Sequence, residues 1–205
     1  MLTDLKKNEL DYKLKLIDFI LDQTPTAILA SEFPFNFQKR RADLLIINDN
    51  STHAIEIKSD VDNTYTLHNQ IDDYYKVFNK VSILISEKHL KNINMLNKNV
   101  GVYILKNEQI LCKRQAKERR KLNKRLVLDL LSTPELKKLS AFKTNNRIEL
   151  IDDIEKKISF KQLNEISYAS LYKKINAIFS LFKNEKIGFT TIHDLSILEI
   201  RQPLI

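Results

Sequence analysis

Two short runs rich in isoleucine, leucine and alanine, residues 42–47 and 53–59, flank the tetrapeptide Asn48-Asp49-Asn50-Ser51. This arrangement constrains the fold more than any other part of the chain. Asparagine and aspartate tolerate left-handed backbone and bond to their own turn, so the tetrapeptide reads as the turn of an antiparallel hairpin. With residues 48–51 closing it, Ile47 faces Thr52 and Asp43 faces Glu56. Side chains alternate along a strand, which puts Glu56 and Lys58 on one face and Ile55 and Ile57 on the other. Asp43 then lies cross-strand from Glu56 on the Glu56 face. A slip of one residue would separate these groups, so the register carries the reading.

The rest of the first half fits around this hairpin. Leu5, Leu10, Leu14, Ile17 and Leu21 recur at helical spacing, predicting an amphipathic helix over 4–22 that ends before Pro25. Ala27-Ile28-Leu29-Ala30 reads as a strand leading to Glu32. A helix is expected over 64–79, with strands at 81–85 and 100–105, a short helical stretch near 87–97, and a last strand at 110–112. The order α-β-β-β-α-β-α-β describes an α/β domain with a mixed sheet flanked by helices. Beyond residue 113 the pattern turns helical, with helices expected at 114–131, 134–141, 146–156, 160–166 and 168–184. Ser132-Thr133-Pro134-Glu135 reads as a helix start with proline early in the first turn. The expected organisation is a core over 1–112 and a basic, all-helical C-terminal region over 113–205 packed on it.

Charge sharpens this division. Residues 1–112 carry 14 Lys and Arg against 15 Asp and Glu, whereas residues 113–205 carry 20 against 11. The excess is densest at Lys113, Arg114, Lys117, Arg119, Arg120, Lys121, Lys124 and Arg125. Such a block suits a polyanion, because neutralising phosphates releases condensed counterions; a solvated helix face is the plainer alternative. With only Gly101 and Gly188 in the chain, neither a P-loop nor a dinucleotide fingerprint can be written. No apolar run approaches the roughly 20 residues of a membrane span, and no membrane partner is expected. The single cysteine, Cys112, excludes an internal disulfide, and a cytoplasmic location is expected.

The chemistry sits on the hairpin. Two carboxylates facing each other repel unless something neutralises them, and Mg²⁺ (or Mn²⁺) does so with oxygen ligands. Asp43 and Glu56, with the backbone carbonyl of Ile57, form the ligand set this geometry offers. Lys58 is placed to position a water or stabilise charge developing on a phosphate.

An acidic residue followed by Glu56-Ile57-Lys58 on a neighbouring strand resembles the signature of the PD-(D/E)XK nuclease superfamily, the restriction-endonuclease-like proteins. The longer run, Arg41 and Asp43, then Glu56-Ile57-Lys58-Ser59-Asp60, then Gln70 and Tyr74, looks like a small bacterial and phage subgroup of it. The resemblance covers roughly residues 27–105. It implies that Asp43 and Glu56 hold the metal, that Lys58 is the catalytic lysine, that Glu32 is the upstream acid completing the site, and that Gln70 reaches back from the following helix. Two positions depart from the pattern: Thr66 stands where the subgroup has a basic residue, and Ala42 replaces the proline of the superfamily's name.

The function that follows is a Mg²⁺-dependent nuclease, an endonuclease hydrolysing phosphodiester bonds in DNA, with the basic C-terminal half on the nucleic-acid backbone. Two-strand cutting would suit a homodimer. The competing reading is a catalytically inactive nuclease-fold module that binds DNA or acts as an immunity or regulatory partner. Other side chains read as structural. His53, His68, His89 and His193 are scattered without zinc spacing. Asp60 and Asp62 suit loop capping, Asp72 and Asp73 a solvated helix surface, and Cys112 a buried filler. Tyr74 sits at core spacing and Tyr75 reads as half-exposed; base stacking by either is the minor alternative.

Overall fold

The computed structural model describes residues 8–200. A six-stranded mixed sheet forms the centre, with β1 (Ile28–Phe35), β2 (Arg40–Asn48), β3 (Ser51–Lys58), β4 (Lys80–Ser86), β5 (Gly101–Lys106) and β6 (Gln109–Arg114) adjacent in sequence order. The pairs β1–β2, β2–β3 and β5–β6 are antiparallel; β3–β4 and β4–β5 are parallel. Parallel neighbours need a crossover. Helix α2 (Leu67–Val77) supplies the first, and a 3₁₀ segment, Glu87–Met95, supplies the second. The architecture is α/β with a mixed sheet flanked by helices.

The hairpin forms in the register its turn dictates. Ile47 pairs with Thr52 and Asn48 with Ser51, leaving Asp49 and Asn50 as a two-residue loop with φ of 49° and 56°. Two consecutive positive φ values define the type I′ turn whose twist matches the strands, and Asn and Asp are among the residues that tolerate it. Asn8 begins α1 (Glu9–Gln23) with a reciprocal capping box to Asp11. The buried face of this helix is Tyr12, Lys13, Leu16, Ile17 and Ile20. The expected residues 4–7 of the helix lie outside the described residues.

The C-terminal half departs from expectation in three places. No helix covers 114–131. Instead β6 continues to Arg114, residues 115–123 run as an irregular strap, and only α3 (Lys124–Leu128) is helical. The reason is apolar content: between 113 and 125 Leu122 is the one large apolar residue, too little for the stripe a helix must bury. The strap's backbone instead bonds carbonyls beside β4 and β5 and at the end of α2, Lys117 N–H to Asn99 O, Arg119 N–H to Asn79 O and Asn123 N–H to Lys76 O. Second, the expected break at 167 is absent, and one 26-residue helix, α6 (Phe160–Glu185), runs through it. Ser167 lies on the buried face and its hydroxyl bonds the Asn164 carbonyl, so it does not interrupt the helix. Third, a helix that the spacing did not suggest, α7 (Ile192–Leu198), starts at a Thr191–Asp194 capping box. Helices α4 (Thr133–Leu139) and α5 (Arg147–Lys157) lie close to their expected places.

Two apolar clusters result. The larger covers the sheet and takes Leu171, Ile175, Phe179 and Phe182 from α6 and Leu195 and Leu198 from α7. The smaller joins Leu122 to α3, α4 and α5 and takes Leu163 from the start of α6. The segment after α7 reaches the sheet edge, where Ile200 N–H donates to Ser31 O in β1 at 2.9 Å. No helix among the described residues is long and apolar enough to cross a membrane.

Candidate active site

One row across β1, β2 and β3 does not pair as a ladder. On either side of it, Ser31 pairs with Leu44 and Phe33 with Ala42, but Glu32 and Asp43 do not pair. Likewise the β2–β3 ladder ends at Leu44 and Ile55, one step short of Asp43 and Glu56. Glu32 takes φ of 52° in mid-strand, a conformation that costs about 1–3 kcal/mol for a non-glycine residue and persists only where its surroundings hold it. Side chains take over the freed backbone groups. The Arg41 guanidinium donates to Glu32 O at 2.9 Å and to Ile200 O at 2.8 Å. The Ser31 hydroxyl donates to Asp43 O, and the Tyr74 hydroxyl accepts from Asp43 N–H at 3.3 Å. Asp43 Oδ2 accepts the Ile57 N–H at 2.6 Å.

Glu56 is the most buried acid of this row, with 2% of its side chain exposed. β3 lies between β2 and β4, so this is no edge-strand ion pair. Lys58 Nζ donates to Glu56 Oε1 at 2.6 Å and Gln70 Nε2 donates to the same oxygen at 2.5 Å. The Tyr74 hydroxyl donates to Oε2 at 2.6 Å. Gln70 and Tyr74 are one turn apart on α2, which places both over Glu56.

A second group joins from α1. Lys13 Nζ lies 2.5 Å from Glu32 Oε1 and 2.9 Å from Glu9 Oε1. Glu9, Glu32 and Asp43 each offer a carboxylate oxygen within 4.8 Å of the others. Of the residues singled out in the sequence, Glu32 and Asp43 therefore meet each other, and Glu56, Lys58 and Gln70 meet each other. Asp43 links the two groups, because the Glu56 charge acts on it directly. Sequence reasoning missed Glu9, Lys13 and the Tyr74 hydroxyl. The pair Glu9–Lys13, one helical turn apart on the first helix, was the available signal, but nothing in it tells which strand it meets.

The electrostatics follow from burial. Desolvation, then the charges of Glu56 and Glu9, push the Asp43 carboxyl well above the usual carboxylate range, against the Ile57 N–H and Lys13. Burial pulls on the ammonium of Lys13, but its bond to Glu32 and the charges of Asp43, Glu32 and Glu9 prevail and raise it. Lys58 is raised in the same way, burial being overcome by Glu56, Asp43 and Asp62. Four carboxylates thus face two ammonium groups, leaving two negative charges uncompensated when all are ionised. A donor set of hard carboxylate oxygens with that deficit fits a divalent cation such as Mg²⁺ or Mn²⁺, held by Asp43, Glu32 and Glu9 beside Glu56.

The basic residues lie elsewhere. The strap bonds Asn79 and Asn99, at the starts of β4 and β5, whereas Glu56 pairs with Ile83 further along. Four residues of strand put about 13 Å between the strap's level and that of Glu56, and Arg114, which pairs with Val102 at the Glu56 level, stands three strands away. Several of the cations are also engaged. Arg114 donates to Val100 O, Arg119 donates to Tyr75 O and covers the Tyr75 ring, Arg120 pairs with Glu118, Lys124 donates to Glu155 O, and Arg125 pairs with Asp152. Lys113, Lys117 and Lys121 are exposed. The flanking candidates have structural partners: Asp62 accepts from Ser59 N–H and hydroxyl, Asp60 from Tyr12 and Ser86, His53 meets Ser82 and His89 meets Ser59 O. Asp73 is less solvated than expected, because Arg40 and Lys76 both pair with it. Cys112 is exposed, not buried, because β6 is an edge strand.

A solved structure, the SPO1766 protein of unknown function from Silicibacter pomeroyi, is similar with a TM-score of 0.44 and 13% identity, over 75% of this chain and 86% of that one. Protein cII of Enterobacteria phage P4 is 28% identical over 204 residues, spanning 93% of this chain and 77% of that protein. The family model described as Bacteriophage P4 protein cII matches residues 3–199. The chain that carries this polar row therefore belongs to the bacteriophage P4 protein cII family.

Proposed function

We propose that this protein is a metal-dependent nuclease with a restriction-endonuclease-like core, hydrolysing phosphodiester bonds in nucleic acid, with DNA as the expected substrate. The observation that supports it is the convergence of Glu9, Glu32, Asp43 and Glu56 on one interrupted row of the sheet, with Lys58 bonded to Glu56 and the Asp43 carboxyl pushed up by burial and its acidic neighbours. A bound divalent ion supplies Lewis-acid polarisation of a phosphoryl oxygen and a water of lowered pKa. Glu9, Glu32 and Asp43 would hold it. Gln70 and Tyr74 fix the Glu56 carboxylate, which in turn holds Lys58 at the row. Lys58 keeps protons to spare beyond the one it gives Glu56, so it can donate to an anionic phosphoryl oxygen. Arg41, tied to two backbone carbonyls, holds Glu32 in place.

A catalytically inactive nuclease-fold binding module is the second reading. It is favoured by Lys13, whose ammonium already stands among the three carboxylates. Cleavage of single-stranded, duplex, branched and RNA substrates, with and without Mg²⁺ or Mn²⁺, separates the two. The nuclease reading expects divalent-dependent cleavage that is lost in Glu56→Gln and in Lys58→Ala. Robust cleavage surviving in both variants ends it, and no cleavage of any substrate together with no Mn²⁺ binding by calorimetry leaves the binding module.

A further inference from the structure

The loop that joins Lys58 to Gln70 does more than connect them. Together with the start of α2 and the 3₁₀ segment it walls a groove of about 720 Å³, within the range of small-ligand sites. Leu67 and Leu96, both buried, form its apolar floor, and His89 is fixed there by its bond to Ser59 O. On its rim stands Tyr65, whose residue surface is 92% exposed. An aromatic ring left in water beside an apolar floor is a ready stacking platform.

We propose that this groove takes an unpaired nucleobase, with Tyr65 stacked on its face. Three observations select that ligand. The tyrosines of α2 and α1 nearby are unavailable: Tyr74 is buried with its hydroxyl on Glu56, Tyr75 is buried under the Arg119 guanidinium, and Tyr12 is buried with its hydroxyl on Asp60. The groove is also poor in cations. Among the described residues its one basic side chain besides His89 is His68, which faces Asp72, and Asp62 adds negative charge. A phosphate would be repelled there, whereas a neutral aromatic ring would not. Finally, Thr66, next to Tyr65, bonds Gln70, and Gln70 shares Glu56 Oε1 with Lys58, so the loop that carries Tyr65 borders the row and a strand whose phosphate sits at Lys58 has a neighbouring base on that side. Bases inside a duplex are already stacked on each other and cannot present a face to Tyr65. The substrate class that fits is therefore single-stranded nucleic acid, or a duplex locally opened at the cleavage position. This inference rests on the nuclease reading only for the placement of the phosphate.

The test uses the full chain in the absence of divalent ions, titrated into a single-stranded oligonucleotide that contains 2-aminopurine, whose fluorescence falls when the base stacks. Wild-type protein should quench it. Tyr65→Ala should abolish the quench and weaken binding about tenfold, the size of one lost base stack, whereas Tyr65→Phe should keep both. Because Tyr65 is exposed, the alanine variant leaves the core intact. Absence of quenching by wild-type protein, equal quenching by Tyr65→Ala, or equal competition by a blunt duplex of the same length would each overturn the proposal. Tyr65-dependent quenching by a protein that cleaves nothing keeps the groove and removes the nuclease reading; Glu56-dependent cleavage without such quenching does the reverse.

Discussion

The ammonium group of Lys13 stands 2.5 Å from a Glu32 carboxylate oxygen, with 6% of the lysine side chain exposed against 31% for the glutamate. Helix α1 thereby places a cation where the Glu32 and Asp43 carboxylates converge from two strands. A divalent ion entering the same carboxylates competes with it. Lys13→Met should therefore lower stability by about 1–3 kcal/mol without metal, since a buried ion pair loses one partner while the other remains partly solvated. Millimolar Mn²⁺ should restore that loss and raise stability more in the variant than in wild type. Urea unfolding with and without Mn²⁺ measures it, and an equal Mn²⁺ effect in both proteins would show that Lys13 does not compete for the site.

Tyr74 packs its ring against Phe35 and Phe78, at 5.3 and 5.9 Å between centroids, and its hydroxyl serves Glu56 and the Asp43 N–H. Phenylalanine keeps the packing and removes the hydroxyl. Tyr74→Phe should cost about 1–3 kcal/mol, the penalty for leaving buried polar groups without a partner. An unfolding free energy matching wild type would mean that water replaces the hydroxyl without loss.

Burial, then the Lys80 charge, push the His53 imidazole down to about 3, while its Nε2 lies 2.7 Å from Ser82 Oγ. The folded protein thus holds His53 neutral where the unfolded chain would protonate it. Its contribution to stability is present above the ordinary histidine value of 6.5 and is lost as pH falls from there toward about 3. The carboxylates with depressed values, such as Glu135 at about 2, act only below the usual carboxylate range, and the raised Asp43 acts in the opposite direction. The difference between wild type and His53→Gln isolates the histidine: it should shrink as the pH of the melt is lowered from 7 to 5. A pH-independent difference would place His53 in ordinary contact with water.

At Gly101 a Cβ would stand 2.1 Å from Ser82 Oγ and 2.9 Å from the Ala116 backbone nitrogen. Gly101→Ala should destabilise by about 1–3 kcal/mol through overpacking. Adding Ser82→Ala should recover part of it, because only the first of the two contacts is relieved. A double-mutant cycle reads the coupling, and zero coupling would show that the backbone, not Ser82, takes up the strain.

The hairpin and the meeting of Asp43, Glu56 and Lys58 near its open end were legible because local rules fix both. Asn48, Asp49 and Asn50 set the turn, the turn sets the register, and the register puts Asp43 level with Glu56 and Lys58 two residues on. Glu9 and Lys13 were not legible in this role, since helical spacing tells which face of α1 is buried but not which strand it meets. Spacing likewise assigned the Tyr74 ring to the core without revealing its hydroxyl. The basic segment misled only in its local structure. A helix was expected through it, but a segment with one large apolar residue cannot bury a stripe, and its backbone bonds carbonyls beside β4 and β5 and at the end of α2 instead.

Helix α6 enters the smaller apolar cluster with Leu163 and the larger one with Leu171 through Phe182, a continuous rod of about 39 Å. A rod shared by two cores cannot be released from one without disturbing its seat in the other. Heating should therefore melt both together in a single calorimetric peak. A chain cut after residue 112 would leave the sheet without the aromatic and aliphatic side chains that α6 lays over β1 and β2.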